Sequence, residues 1–120
     1  MHAAVAAMAR HVAPGGVLAV EPWFQPHEYR PNTIGLNTVD EPELKLVRMA
    51  HGHARGTVSI LDFEYLIGRP DGITRAHERH ELGLFTEAET RATFEAAGLR
   101  VSFDEQGLIG RGLYIGLAPG

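Results

Sequence analysis

The chain has 120 residues, an apolar fraction of 44% and a formal charge of −4, which suits one small globular domain or part of one. That charge offers no basic field to a polyphosphate backbone or an anionic bilayer, so nucleic acid and membrane are not expected as partners. The absence of cysteine rules out a disulfide and a thiolate metal site. With no basic leader and no run of about 18 apolar residues, the sequence points to a cytoplasmic protein.

In chain order, Val5, Met8 and Val12 recur at helical spacing, so residues 2–12 are expected to form a helix with one apolar stripe, stopped by Pro14-Gly15-Gly16. Val17-Leu18-Ala19-Val20 lacks alternation and is expected to form a strand covered on both faces. Glu21-Pro22-Trp23-Phe24-Gln25-Pro26 ends that strand, because two prolines remove ladder donors. It leaves a carboxylate and two aromatics at the strand's carboxyl end, the edge at which open α/β sheets bind ligands. Residues 27–42 hold Pro31, Asn32, Gly35 and Pro42 and are expected to form a loop. An antiparallel meander is expected over about 43–85. Its strands are Leu44 to Ala50, Gly56 to Gly68 and Ile73 to Phe85, with turns at 51–55 and at Arg69-Pro70-Asp71-Gly72. Thr86-Glu87-Ala88-Glu89 matches a capping box, Gly98 a helix stop, and Leu99 to Phe103 and Leu113 to Leu117 two further strands.

Several side chains carry candidate chemistry. Trp23 and Phe24 offer flat faces to a planar ligand. Arg48, His51 and Arg111 are candidates for holding a diphosphate, because guanidinium forks match phosphate oxygens and imidazole adds a donor. Glu21 either faces a ligand or is a strand-end charge. His77-Glu78-Arg79-His80-Glu81 has the wrong spacing for the helical zinc motif, and on a strand its two histidines point to opposite faces. On a strand His51 and His53 would share a face, but no third ligand stands at a suitable spacing, so no metal is expected. Gly110-x-Gly112 precedes a strand and not a helix, which favours a close backbone approach over a phosphate loop.

Pro14-Gly15-Gly16-Val17, Glu21-Pro22-Trp23, Arg48-Met49-Ala50-His51, Leu84-Phe85-Thr86, Ala96-Ala97-Gly98-Leu99 and Gly110-Arg111-Gly112-Leu113 follow one another in an order that resembles the class I S-adenosylmethionine-dependent methyltransferases. The narrower likeness is to the N,N-dimethyltransferases of nucleotide-linked amino sugars. Ala50, where those enzymes usually carry serine, and Phe24, their second tryptophan, depart from the pattern. The resemblance implies the C-terminal half of a Rossmann-like α/β sheet with an inserted antiparallel meander. It implies that the cofactor-binding half, with its acid/base residues, lies outside these 120 residues. S-adenosylmethionine would serve the intact protein without being bound by this chain alone. Trp23, Phe24, Arg48, His51 and Arg111 would line the acceptor side, taking a nucleotide-linked sugar. A strand edge left open would favour self-association. The same fold serves O-methylation of other secondary metabolites, and a truncated gene would leave a non-catalytic ligand-binding module.

Overall fold

A computed structural model describes residues 1–120. The chain divides into two compact units, one made of Met1–His27 with Phe85–Gly120, the other of Glu28–Leu84. No helix is long and apolar enough to cross a membrane.

The first unit has α/β character. Helix α1 (His2–Ala9) precedes strand β1 (Val17–Val20). Later in the chain come a second helix (Glu87–Ala96) and strands Arg100–Asp104 and Leu113–Leu117. The Leu113–Leu117 strand is central, pairing antiparallel with β1 on one side and with Arg100–Asp104 on the other. Val5, Phe94, Leu99 and Tyr114 are buried together, with Leu18, Val20, Val101 and Phe103 packed around them. Phe94 is fully buried, which stabilises the unit by about 1.5–3 kcal/mol. It reaches the central strand because Gly116 has no side chain: a Cβ there would lie 2.7 Å from the Phe94 ring.

Two expectations need correction here. The first helix stops at Ala9, and of its expected stripe only Val5 is fully buried, Met8 staying exposed. The strand β1 is not covered on both faces. Val17 is 57% exposed, and Leu18 and Val20 alone face the core. Both helices of this unit pack with that core, so the apolar run reads as two-sided although only alternate residues are covered. The outer edge of β1 pairs with no strand.

The second unit is a four-stranded antiparallel meander of β2 (Thr33–Glu41), β3 (Leu44–Arg55), β4 (Val58–Arg69) and β5 (Gly72–Gly83), in that spatial order. Following them, the second helix is α2 and the last two strands are β6 (Arg100–Asp104) and β7 (Leu113–Leu117). The sheet begins about ten residues before its expected start near 43 and contains a strand where a loop was expected. Pro31 and Asn32 precede β2, and Pro42 with Glu43 forms the turn after it, so these breakers bound the strand instead of interrupting it. The expected turn at 51–55 belongs to β3, and the chain reverses at Gly56-Thr57. The turn at Pro70-Asp71 falls where expected. Few side chains in this unit are buried, chiefly Tyr29, Ser59, Ile60 and Leu84.

The capping box of α2 is complete. The Thr86 hydroxyl accepts from the Glu89 amide at 3.2 Å, and the Glu89 carboxylate accepts from the Thr86 amide at 2.8 Å. Donation to the carboxylate by the Thr86 amide first, and by the Thr86 hydroxyl at 3.0 Å second, holds the Glu89 carboxyl below its ordinary value of 4.5. A depressed acid stabilises the fold above its unfolded pKa and ceases to do so as pH falls through the folded one. Thr86→Ala is therefore expected to cost about 1 kcal/mol at neutral pH. The stability gap between wild type and Glu89→Gln should be present at neutral pH and close below about pH 4.5, as read from urea midpoints across the pH range.

Candidate functional site

Val20 is the Cα partner of Tyr114 across the β1–β7 ladder. That register fixes what meets beyond the strand ends: residues 21–24 leave β1 beside residues 111–113 entering β7. The Arg111 guanidinium lies 5.1 Å from the Trp23 ring centroid and 5.6 Å from that of Phe24. Those two rings meet edge to face at 4.9 Å. Arg111 donates through Nη2 to Glu21 Oε1 at 3.3 Å, and the two side chains are only 28% and 19% exposed. Arg111 Nε is buried and makes no hydrogen bond. Arg111, grouped in the sequence with Arg48 and His51, thus lies against the Trp23–Phe24 pair, and Glu21 is its counter-ion.

The loop geometry holds Arg111 in place. Gly112 has φ +83, and a Cβ on it would lie 2.3 Å from the Phe103 ring. A Cβ on Gly107 would lie 2.5 Å from the Gly112 backbone. The loop therefore folds flat on itself and on β6, a close approach that only glycine permits. Within Gly110-x-Gly112, close packing accounts for Gly112, while Gly110 has open space around it and only a left-handed backbone; Arg111 is the side chain between them.

In the second unit, Arg48 donates to Asn37 Oδ1 at 2.7 Å and lies 5.1 Å from the Phe63 ring centroid, with its Nε buried and unpaired. Its Cα partner is Tyr65, whereas that of His51 is Asp62. Three positions apart on an unbroken ladder, Arg48 and His51 project from opposite faces. The structure does not bring these two to one point. His51 instead stacks on His53 at 5.4 Å between centroids, beside Asp62, which accepts twice from Arg79 at 2.6 and 2.9 Å. Those bonds, ahead of the charge of Arg79, hold the Asp62 carboxyl below its ordinary value. Glu21 as partner of Arg111, and Asn37 as partner of Arg48, were beyond sequence reasoning. Either would have followed from the registers once the turns were known.

What this arrangement can do is bind. Arg111 supplies guanidinium donors in a partly dry setting, where a charge-assisted bond is strongest. The aromatic pair supplies flat apolar surface beside it. Glu21 offsets the charge, so an arriving anion competes with a carboxylate already present.

No protein-family model matches the chain. It is 39% identical, over 100% of its own length and 47% of the relative's, to a dTDP-3-amino-3,6-dideoxy-alpha-D-glucopyranose N,N-dimethyltransferase of Streptomyces fradiae. Among solved structures it is similar to SAM-bound CalS10, an amino pentose methyltransferase from Micromonospora echinaspora involved in calicheamicin biosynthesis. The TM-score is 0.84 and the identity 36%, over 97% of this chain and 49% of that one. The sugar N-methyltransferase KedS8 from Streptoalloteichus gives a TM-score of 0.91 at 31% identity, over 99% of this chain and 49% of that one.

The loop geometry carries its own test. Gly112→Ala combines a left-handed backbone with a collision against Phe103 and is expected to cost about 2–5 kcal/mol. Gly110→Ala, also left-handed at φ +81 but with nothing within 4 Å of the new Cβ, should cost only about 1–2 kcal/mol. Chemical denaturation of the two variants measures the difference. Across its whole length, in fold and in sequence, the chain is related to the S-adenosylmethionine-dependent N-methyltransferases of amino sugars and spans about half the length of the curated relatives it matches.

Proposed function

We propose that this chain is the acceptor-side part of an S-adenosylmethionine-dependent N-methyltransferase acting on the amine of a nucleotide-linked amino sugar. The convergence of Arg111, Trp23 and Phe24 at the exit of β1 carries this reading. A nucleotide-linked sugar has an anionic diphosphate for the guanidinium and a planar base and a sugar ring for the aromatics. The proteins it resembles carry names that specify such acceptors. Methyl transfer from an already activated sulfonium needs alignment above all, so a rigid acceptor wall is a catalytic contribution through orientation. Arg48 and His51 keep an acceptor-side role in this reading, each to be judged from its own substitution, since they occupy opposite faces of the meander.

S-adenosylmethionine does not fit the residues present. Every strand pair in the chain is antiparallel. The N-terminus of α2 is closed by its own capping box, and no glycine-rich loop joins a strand to a helix with a following acid for the ribose. The cofactor's residues are therefore assigned to sequence outside these 120 residues. The open edge of β1 supports self-association of the isolated chain, because unpaired edges recruit other strands.

Calorimetric titration of the isolated chain with S-adenosylmethionine should give no measurable heat of binding. Micromolar affinity would place the cofactor site here and overturn the division proposed. In the full-length protein, Arg111→Ala should raise the acceptor's dissociation constant by about 10- to 150-fold, the loss of one charge-assisted hydrogen bond. Cofactor affinity should stay unchanged. Arg111→Lys should recover only part, because an ammonium keeps the charge but not the planar fork. Equal losses for acceptor and cofactor would mean damage to the fold and would sink the phosphate role.

A further inference from the structure

The register of β3 against β4 produces a cluster that sequence spacing hid. His51 is the Cα partner of Asp62, and His53 lies two residues further along the same face. The two imidazoles stack with centroids 5.4 Å apart and planes 24° from parallel. His53 Nδ1 stands 3.8 Å from Asp62 Oδ2, too far for a hydrogen bond. That nitrogen is buried and makes no hydrogen bond at all, although the His53 side chain as a whole is 32% exposed. One donor atom from each of His51, His53 and Asp62 lies within 4.8 Å of the other two.

We propose that His51, His53 and Asp62 form a binding site for a divalent first-row transition-metal ion, with Zn2+ and Ni2+ as suitable occupants. Two imidazoles and one carboxylate are the donor set such ions prefer, and three protein ligands with an open position make a four-coordinate site. Metal–ligand bonds of about 2.0–2.1 Å place tetrahedral donors roughly 3.3 Å apart. The donors must therefore close by about 1.5 Å at most, within reach of side-chain rotation on a partly exposed sheet face. His53 Nδ1 would gain the partner it lacks. Asp62 is already oriented by Arg79, which bonds both carboxylate oxygens, the kind of outer partner that fixes a ligating carboxylate. The same guanidinium also opposes the ion by its charge, which keeps the site moderate in strength. His77 Nε2, 3.6 Å from Asp62 Oδ1 on the other side, or a water completes the coordination. A metal here would tie β3 to β4 independently of any acceptor, and it competes with the diphosphate role that resemblance suggests for His51.

The chain, freed of metal by chelation, is titrated with Zn2+ and with Ni2+ by calorimetry, and Co2+ binding is followed by visible absorption. One ion per chain with a dissociation constant below about 10 μM is expected. His51→Gln, His53→Gln and Asp62→Asn should each weaken it at least tenfold while leaving the far-ultraviolet circular dichroism unchanged. His80→Gln, on the opposite face beside Phe63, should leave the affinity as it is. Binding weaker than about 1 mM in the wild type overturns the site. So does affinity that the three ligand substitutions leave within twofold, or that His80→Gln reduces as much as they do. If a variant loses its dichroism, the Co2+ spectrum of the wild type decides: tetrahedral bands support the site, and octahedral ones refute the geometry.

Discussion

Pairing of β7 between β1 and β6 is the constraint from which the first unit takes its form. A central strand antiparallel to both neighbours sets two registers at once. Through one, Tyr114 and Gly116 face the core with Phe94 and Leu99. Through the other, the segment before β7 is delivered beside the segment after β1, and Arg111 meets Glu21, Trp23 and Phe24. Core and site are therefore two ends of one ladder, and slippage by one residue would invert the faces of both.

The energetics of the Arg111 group are those of a balanced site. Stacking over two rings and pairing with a carboxylate hold a cation in a partly buried place, where alone it would be costly. Rigidity of this kind favours recognition, because the side-chain entropy of a long arginine is lost on folding and not on binding. The meander is organised differently. With few buried side chains, it depends on ladder hydrogen bonds and on cross-strand pairs such as Arg79–Asp62 and Arg48–Asn37.

Elements whose signals are local were legible in the sequence. The capping box at Thr86 and Glu89, the turn at Pro70-Asp71 and the strand at Leu113–Leu117 depend on residues within a few positions of one another. The adjacent aromatics Trp23 and Phe24 were legible too, whereas the contact of Arg111 with them, rather than a grouping with Arg48 and His51, came from the β1–β7 register. What was not legible was set by pairing. Thr33–Glu41 is exposed along its whole length, so no burial pattern marks it, and only its ladder with β3 makes it a strand. Placing the β3–β4 turn at 51–55 put His51 outside the sheet and hid its alignment with Asp62. The open face of β1 escaped because VLAV reads the same whether one side is covered or two.

The sparse burial of the meander bears on how this stretch of chain can change over generations. Where main-chain bonds carry a sheet, most side chains on it are free to drift, since few substitutions open a cavity or bury a charge. Length is another matter. A single inserted or deleted residue in β3 ahead of Arg48 would send every following side chain of that strand to the other face, separating Arg48 from Asn37 and both histidines from Asp62 together. Selection on such a surface acts weakly on identity and strongly on count, so lineages descending from it can exchange residues readily while keeping the spacing between its turns.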